Sequence, residues 1–337
     1  MKRFTPYLLI AIIFILIGWF ANTAYHLPKN SNPIAQIKPT PLLKYTIENL
    51  SEAYRQEVGP LDRGKIEIGE IIKDNPTFTS YKFRLNFSPD FSDNLKATSG
   101  MINIPKGSGP FPVIVMFRGY VDQKSYVIGE GTKPSATVFA QSGFITVAPD
   151  FLGYGESDIE AGNIFESRFQ TYVTAATVLK SVDSIKEWDK KNIFIWGHSN
   201  GGQIALTTLE ITGVDYPTAL WAPVGRPFPA SILYYIDEAD DGGRLIIGKL
   251  AEFNETYDAS KFSLVNYLDK IKAPIQLNQG TADTSVPFWW SDSLVKSLKN
   301  IDADVTYLKY PGANHSLVPS WNQAVENSTL FFRSHLR

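Results

Sequence analysis

Ser199, His315 and Asp283 are the residues of this chain whose types and surroundings fit acyl transfer. Ser199 stands in Gly197-His198-Ser199-Asn200-Gly201, between an apolar run at 192–196 (NIFIW) and a segment at 201–212 with helical spacing. A strand that turns at once into a helix must bend so sharply that the central serine is strained and its Oγ projects. Residues two before and two after that serine approach too closely for a Cβ, which accounts for Gly197 and Gly201. The helix start also offers free N–H groups and the positive end of a dipole to a developing oxyanion.

A hydroxyl attacks well only when a base takes its proton. Of the four histidines, His26 adjoins an apolar N-terminal run, His335 ends the last helical segment, and His198 is held inside the turn itself. That leaves His315, in the loop YPGANH after the last apolar run. The imidazole needs a carboxylate to fix its tautomer and stabilise its protonated form. Asp283, in the GTAD turn after the run at 274–277, has that position; Asp150 and Asp237 are weaker alternatives. An aspartate in such a turn can also serve only to hydrogen-bond its own backbone. The expected oxyanion donors are the backbone N–H groups of Asn200 and Tyr120, the latter reached through Arg118 and Gly119 after the run at 113–117. Acyl transfer of this kind needs no metal and no organic cofactor, and none is expected.

The elements that must position these residues follow from hydrophobic periodicity. Segments 65–72, 81–87 and 97–104 alternate and read as antiparallel strands, after a helix-like stretch at 42–56. Continuous apolar runs at 113–117, 144–148, 192–196, 218–222, 274–277 and 305–310 have the length and character of strands buried on both faces. Helix-period segments at 135–141, 164–184, 201–212, 288–298 and 323–335 lie between them. This alternation predicts a mostly parallel central sheet flanked by helices. The interval at about 224–272, helical around 230–235 and 245–253, is too long for a simple crossover and reads as a short cap insertion over the site. Tyr234, Tyr235, Trp289 and Trp290 are candidates for an acyl pocket, with packing at the start of a helix the preferred reading for the tryptophans.

With 337 residues, 44% hydrophobic and 20% charged, the chain can fill one large core. A net charge of −2 without long runs of one sign gives no footprint for nucleic acid. The absence of cysteine excludes disulfides, zinc–thiolate sites and a cysteine nucleophile. At the amino end, Lys2 and Arg3 precede an apolar run at 7–21. Residues 1–26 read as a signal anchor or transmembrane helix, with export and cleavage as the alternative. Residues 27–41 read as a proline-rich linker and 42–337 as the hydrolytic domain, held outside the cytoplasm.

Several segments together are more specific than the serine motif alone: PFPVIVMFRGY (110–120), FITVAPDFLGYGESD (144–158), IWGHSNGGQIAL (195–206), APV (222–224), the stretch 270–298 and YPGANH (310–315). Over residues 75–337 the chain resembles the α/β-hydrolase catalytic domain of the prolyl oligopeptidase and dipeptidyl peptidase superfamily, and its smaller bacterial esterase relatives. The resemblance implies that fold. It sets Ser199, Asp283 and His315 on the family triad, with Tyr120 and Asn200 at the oxyanion positions. Two departures stand out. Arg118 replaces the family's usual histidine, which places a charge near the expected acyl pocket. No stretch of some hundreds of residues precedes the domain to form the propeller of the larger peptidases, and no glutamate pair is assignable to a peptide amino terminus. A serine hydrolase cleaving a carboxylic ester or small amide is therefore expected, with aminopeptidase or oligopeptidase action as the alternative. A membrane-tethered binding protein without turnover is the alternative of another class.

Overall fold

Five of the six continuous apolar runs become inner strands of a nine-stranded sheet; the sixth, at 305–310, expected to be buried on both faces, is instead its half-buried edge strand, which has a neighbour on one side only. The computed structural model describes residues 39–56, 64–238 and 241–337, and Thr40–Arg337 forms one compact unit. Residues 1–38, with the expected membrane segment and most of the linker, lie outside the described residues. Among the described residues no helix is long and apolar enough to cross a membrane.

Three strands, β1 (Glu67–Asp74), β2 (Phe78–Phe87) and β3 (Lys96–Pro105), form an antiparallel flank. The rest are β4 (Phe111–Phe117), β5 (Ile145–Pro149), β6 (Trp188–His198), β7 (Thr218–Trp221), β8 (Ile275–Gly280) and β9 (Val305–Tyr310). The order across the sheet is β1-β2-β3-β5-β4-β6-β7-β8-β9, and every neighbouring pair from β5 to β9 is parallel. Parallel strands share one carboxyl edge, so the loops after β4, β6, β8 and β9 emerge together. The chain winds from β4 outward to β5, then returns to β6 and winds the other way. Such a reversal leaves a crevice at the carboxyl ends.

Alternation along β4 shows why these runs are apolar throughout. Val113, Val115 and Phe117 enter one core and Ile114 and Met116 the other. The first core is covered by α1 (Ile47–Arg55), α3 (Ile164–Ser181), α4 (Asn200–Thr212) and α7 (Phe288–Lys299). The second is covered by α2 (Lys133–Gln141) and α8 (Trp321–Ser334). Burying one leucine-sized side chain is worth roughly 1.5–3 kcal/mol, so the two cores dominate the stability.

Two elements differ from the periodic reading. The helical stretch at 42–56 breaks at Thr46, whose extended backbone ends a short helix at Tyr45. The Thr46 side chain then caps α1 by accepting the Asn49 N–H, the usual reason for a threonine at a helix start. Between β7 and β8 the described residues of the insertion form one turn, α5 (Ala230–Leu233), a short turn at Ile236–Glu238 and one longer helix, α6 (Arg244–Asn254). Further short turns follow at Ala259–Phe262, Leu264–Asn266 and Leu268–Lys270.

Candidate active site

At the end of β6 the chain turns into α4 through Ser199, at φ 57° and ψ −121°. A non-glycine residue there is strained by about 1–3 kcal/mol and persists only where its surroundings fix it. Three backbone bonds do so. The Ser199 N–H donates to Trp221 O at 2.9 Å, and its carbonyl accepts from Gly202 and Val224, each at 3.0 Å. A Cβ on Gly197 would come within 2.5 Å of Gly201 O, and one on Gly201 would collide with Phe117 O. Gly202, which the sequence reading passed over, is equally constrained: its Cβ would lie 2.5 Å from Pro223 Cβ.

His315 reaches the same crevice from the loop after β9. Its Nδ1 lies 2.9 Å from Asp283 Oδ2, with the Asp283 side chain fully enclosed and the imidazole 23% open. A carboxylate only accepts, so Nδ1 carries the hydrogen and Nε2 is the free nitrogen. Asp283 also accepts the N–H groups of Ser285 and Val286, each at 2.9 Å, and the Gln279 amide at 3.0 Å. Burial alone would raise this carboxyl; the bonds from His315, Val286 and Gln279 outweigh it and hold it below the ordinary aspartate value. It is therefore ionised at neutral pH and able to orient an imidazole. The loops carrying the two residues are sewn together, Thr281 N–H to Tyr310 O at 3.1 Å and Ala282 N–H to Ala313 O at 2.9 Å.

The other candidates fall elsewhere. Asp150 is wholly buried and bonded to Ser99, Tyr126 and the Gly129 N–H. Asp237 is exposed on the insertion. His335 bonds the Phe331 carbonyl at the end of α8, and His26 lies outside the described residues. His198 has a place that elimination missed. Its ring packs on His315, with centroids 4.7 Å apart, and its Nε2 lies 3.0 Å from the His315 carbonyl oxygen. Burial, and then the neighbouring His315, push its pKa down to about 4. Neutral at working pH, it must carry its hydrogen on Nε2 to donate to that carbonyl. His198 thus pins the backbone of the residue that elimination had selected.

Gly119 brings the loop after β4 against the serine: a Cβ there would be 3.0 Å from Ser199 Cβ. Arg118 Nη1 donates to Gly119 O at 3.0 Å, and Nη2 to Asp150 O at 2.8 Å. In a trans peptide the C=O and N–H point oppositely, so fixing the Gly119 carbonyl also fixes the direction of the Tyr120 N–H. Among the described residues neither that N–H nor the N–H of Asn200 has an acceptor. The Arg118 guanidinium is buried, its Cζ 3.9 Å from the Tyr154 ring centroid and 4.9 Å from that of Tyr126. Its charge is therefore absorbed by rings and carbonyls and does not line the main cavity.

That cavity, of about 970 Å³, is lined by Ser199, His315, Tyr120 and Asn200 together with Val224, Ile232, Tyr235, Ile236 and Ile246 of the insertion. Tyr235 OH donates to Ser285 O at 3.1 Å, joining the insertion to the Asp283 loop. Trp290 is buried against Val224 and Val286, and Trp289 is exposed, so neither enters the cavity.

Sheet order, crevice and sharp turn together define an α/β-hydrolase fold. Solved structures agree at the level of fold. Acetyl xylan esterase 1 from Thermoanaerobacterium sp. has a TM-score of 0.60 at 17% identity, covering 87% of this chain and 94% of that one. The acetyl xylan esterase from Paenibacillus sp. R4 gives 0.61 at 16%, covering 89% and 96%. The chain belongs to the prolyl oligopeptidase family, whose pattern matches residues 132–336, more than half its length. It is a family of hydrolases acting on small ester or peptide substrates. Similar curated proteins include the acetyl esterase Axe7A of Xylanibacter ruminicola, 22% identical over 58% of this chain, and the uncharacterized peptidase YtmA of Bacillus subtilis, 27% identical over 67%. The matches span 48% of the first protein and 84% of the second.

Proposed function

We propose that this chain is a serine hydrolase that cleaves a carboxylic ester or small amide through an acyl-enzyme on Ser199. The observation that carries this reading is one cavity shared by a strained, projecting Ser199 and a His315 imidazole already bonded to ionised Asp283. His315 Nε2 takes the proton as Ser199 Oγ bonds to the carbonyl carbon. The N–H groups of Asn200 and Tyr120 receive the oxyanion, the role of such donors in acyl transfer. His315 then protonates the leaving group, and water releases the acyl group by the same steps.

An ester is favoured over a peptide amino terminus by the lining. Among the described residues no Asp or Glu faces the main cavity, so nothing there would pair with an α-ammonium. Among the similar curated proteins one is an acetyl esterase and another an uncharacterized peptidase, so the preference rests on the lining. A panel of p-nitrophenyl esters and aminoacyl-p-nitroanilides tests the reading. Ester turnover that falls about 10⁴-fold or more in Ser199→Ala is expected, whereas anilide-only turnover would favour the peptidase alternative. The apolar run at 7–21 behind Lys2 and Arg3 supports a membrane tether with the hydrolytic body outside the cytoplasm.

A further inference from the structure

Arg168 is the single Lys or Arg side chain among the described residues lining the main cavity. It projects from α3 and also lines a smaller cavity of about 180 Å³, which shares Tyr120, Arg168 and Asn200 with the main one. No carboxylate forms an ion pair with it among the described residues. Glu160, in the wall of the smaller cavity, is engaged by Ser167 and Gln123 instead. The one acceptor that Arg168 has is Gln203 Oε1, at 2.6 Å from Nη2, and its Nε is enclosed without a partner. A guanidinium holds only donors, so Gln203 must turn its oxygen to Arg168, and its amide hydrogens are left for the cavity it lines. Two adjacent side chains therefore offer donors, one of them charged, and no acceptor. This is the chemistry of an anion subsite, since a fixed guanidinium fork suits a carboxylate.

Ser199 caps α4, and Gln203, four residues on, stands about 6 Å along its axis; both line the main cavity. We propose that the substrate bears an anionic group, a carboxylate or its equivalent, about one helical turn from the scissile carbonyl, held by Arg168 and Gln203. This rests on the acyl-transfer reading of Ser199 for which carbonyl is attacked; the anion site itself can be read without turnover.

Monomethyl glutarate carries ester and carboxylate at that separation, and dimethyl glutarate is its uncharged counterpart. Calorimetric titration of both into the Ser199→Ala protein measures the ratio of their affinities. The half-ester should bind about tenfold or more tightly than the diester, as one charge-assisted pair implies. Adding Arg168→Met should bring the ratio near one, and Arg168→Lys, which keeps the charge without the fork, should retain part of it. Equal binding of the two esters, or a ratio that survives Arg168→Met, overturns the proposal. Hydrolysis by the unaltered chain is followed separately: failure to cleave either ester would count against the serine reading and leave the affinity ratio to judge the anion site.

Discussion

Ser199 is held in a costly backbone conformation by neighbours that have no room to move, and the glycines around it carry that constraint. Gly201→Ala would drive a methyl group into the Phe117 carbonyl. The expected cost is about 1–3 kcal/mol of stability and on the order of 100-fold in activity, because a displaced nucleophile loses its alignment. Thermal unfolding and ester kinetics on the same preparation check both. His198 gives a second prediction at this scale. His198→Phe keeps a ring against His315 but removes the donor to its carbonyl, so kcat should fall about fivefold, the lost bond being worth roughly 1 kcal/mol. Steady-state kinetics at saturating ester would show it, and an unchanged kcat would mean that the loop is held by its other bonds alone.

Among the elements, α4 does more than present the serine. Glu210, about three turns beyond Ser199, is fully buried, and neither carboxyl oxygen finds a partner among the described residues. Burial raises its pKa well above the ordinary glutamate value; Lys270 opposes this and Asp269 adds to it. The neutral form is thus the one that fits the fold. A carboxyl with a raised folded-state pKa contributes stability that is complete below its unfolded value of about 4.3 and is lost as pH rises through the folded value. The difference in stability between the parent and Glu210→Gln, measured by denaturant unfolding from pH 4 to 9, should therefore shift in favour of the variant as pH rises. A constant difference would show that the carboxyl is not taken out of water. The insertion governs the far wall of the cavity, and Ile246→Trp should raise KM for long acyl esters more than for acetates.

Legibility from sequence followed the same division. Strands buried on both faces were readable because burial demands apolar runs, and parallel order followed from the helices between them. Ser199, Asp283 and His315 were nameable because their loops follow such strands; the structure brings His315 and Asp283 into contact and sets His315 and Ser199 in one cavity. Arg168, Gln203 and the His198 clamp were not readable. Each depends on where a side chain turns within a packed neighbourhood, and an arginine on a helix has the same letter whether it faces solvent or a cavity. For this reason the sequence puts the charge of Arg118 near an expected acyl pocket, whereas the rings of Tyr126 and Tyr154 enclose it.

In the whole molecule, an α/β-hydrolase body follows an amino-terminal apolar run that is proposed as a membrane tether. If the run at 7–21 anchors the chain, the protein should resist extraction by alkaline carbonate and be released by detergent; recovery in the soluble fraction would contradict the tether. The body stands apart from that question, because the sheet brings the loops after β4, β6, β8 and β9 to one edge. The central claim is that Ser199 attacks and that His315 and Asp283 make it able to. Treating the folded protein with a fluorophosphonate and mapping the modified peptide by mass spectrometry tests this most directly. One label per chain on Ser199 is expected, absent from Ser199→Ala and much slower in His315→Ala; a chain that stays unlabelled, or takes the label at another residue, would contradict it.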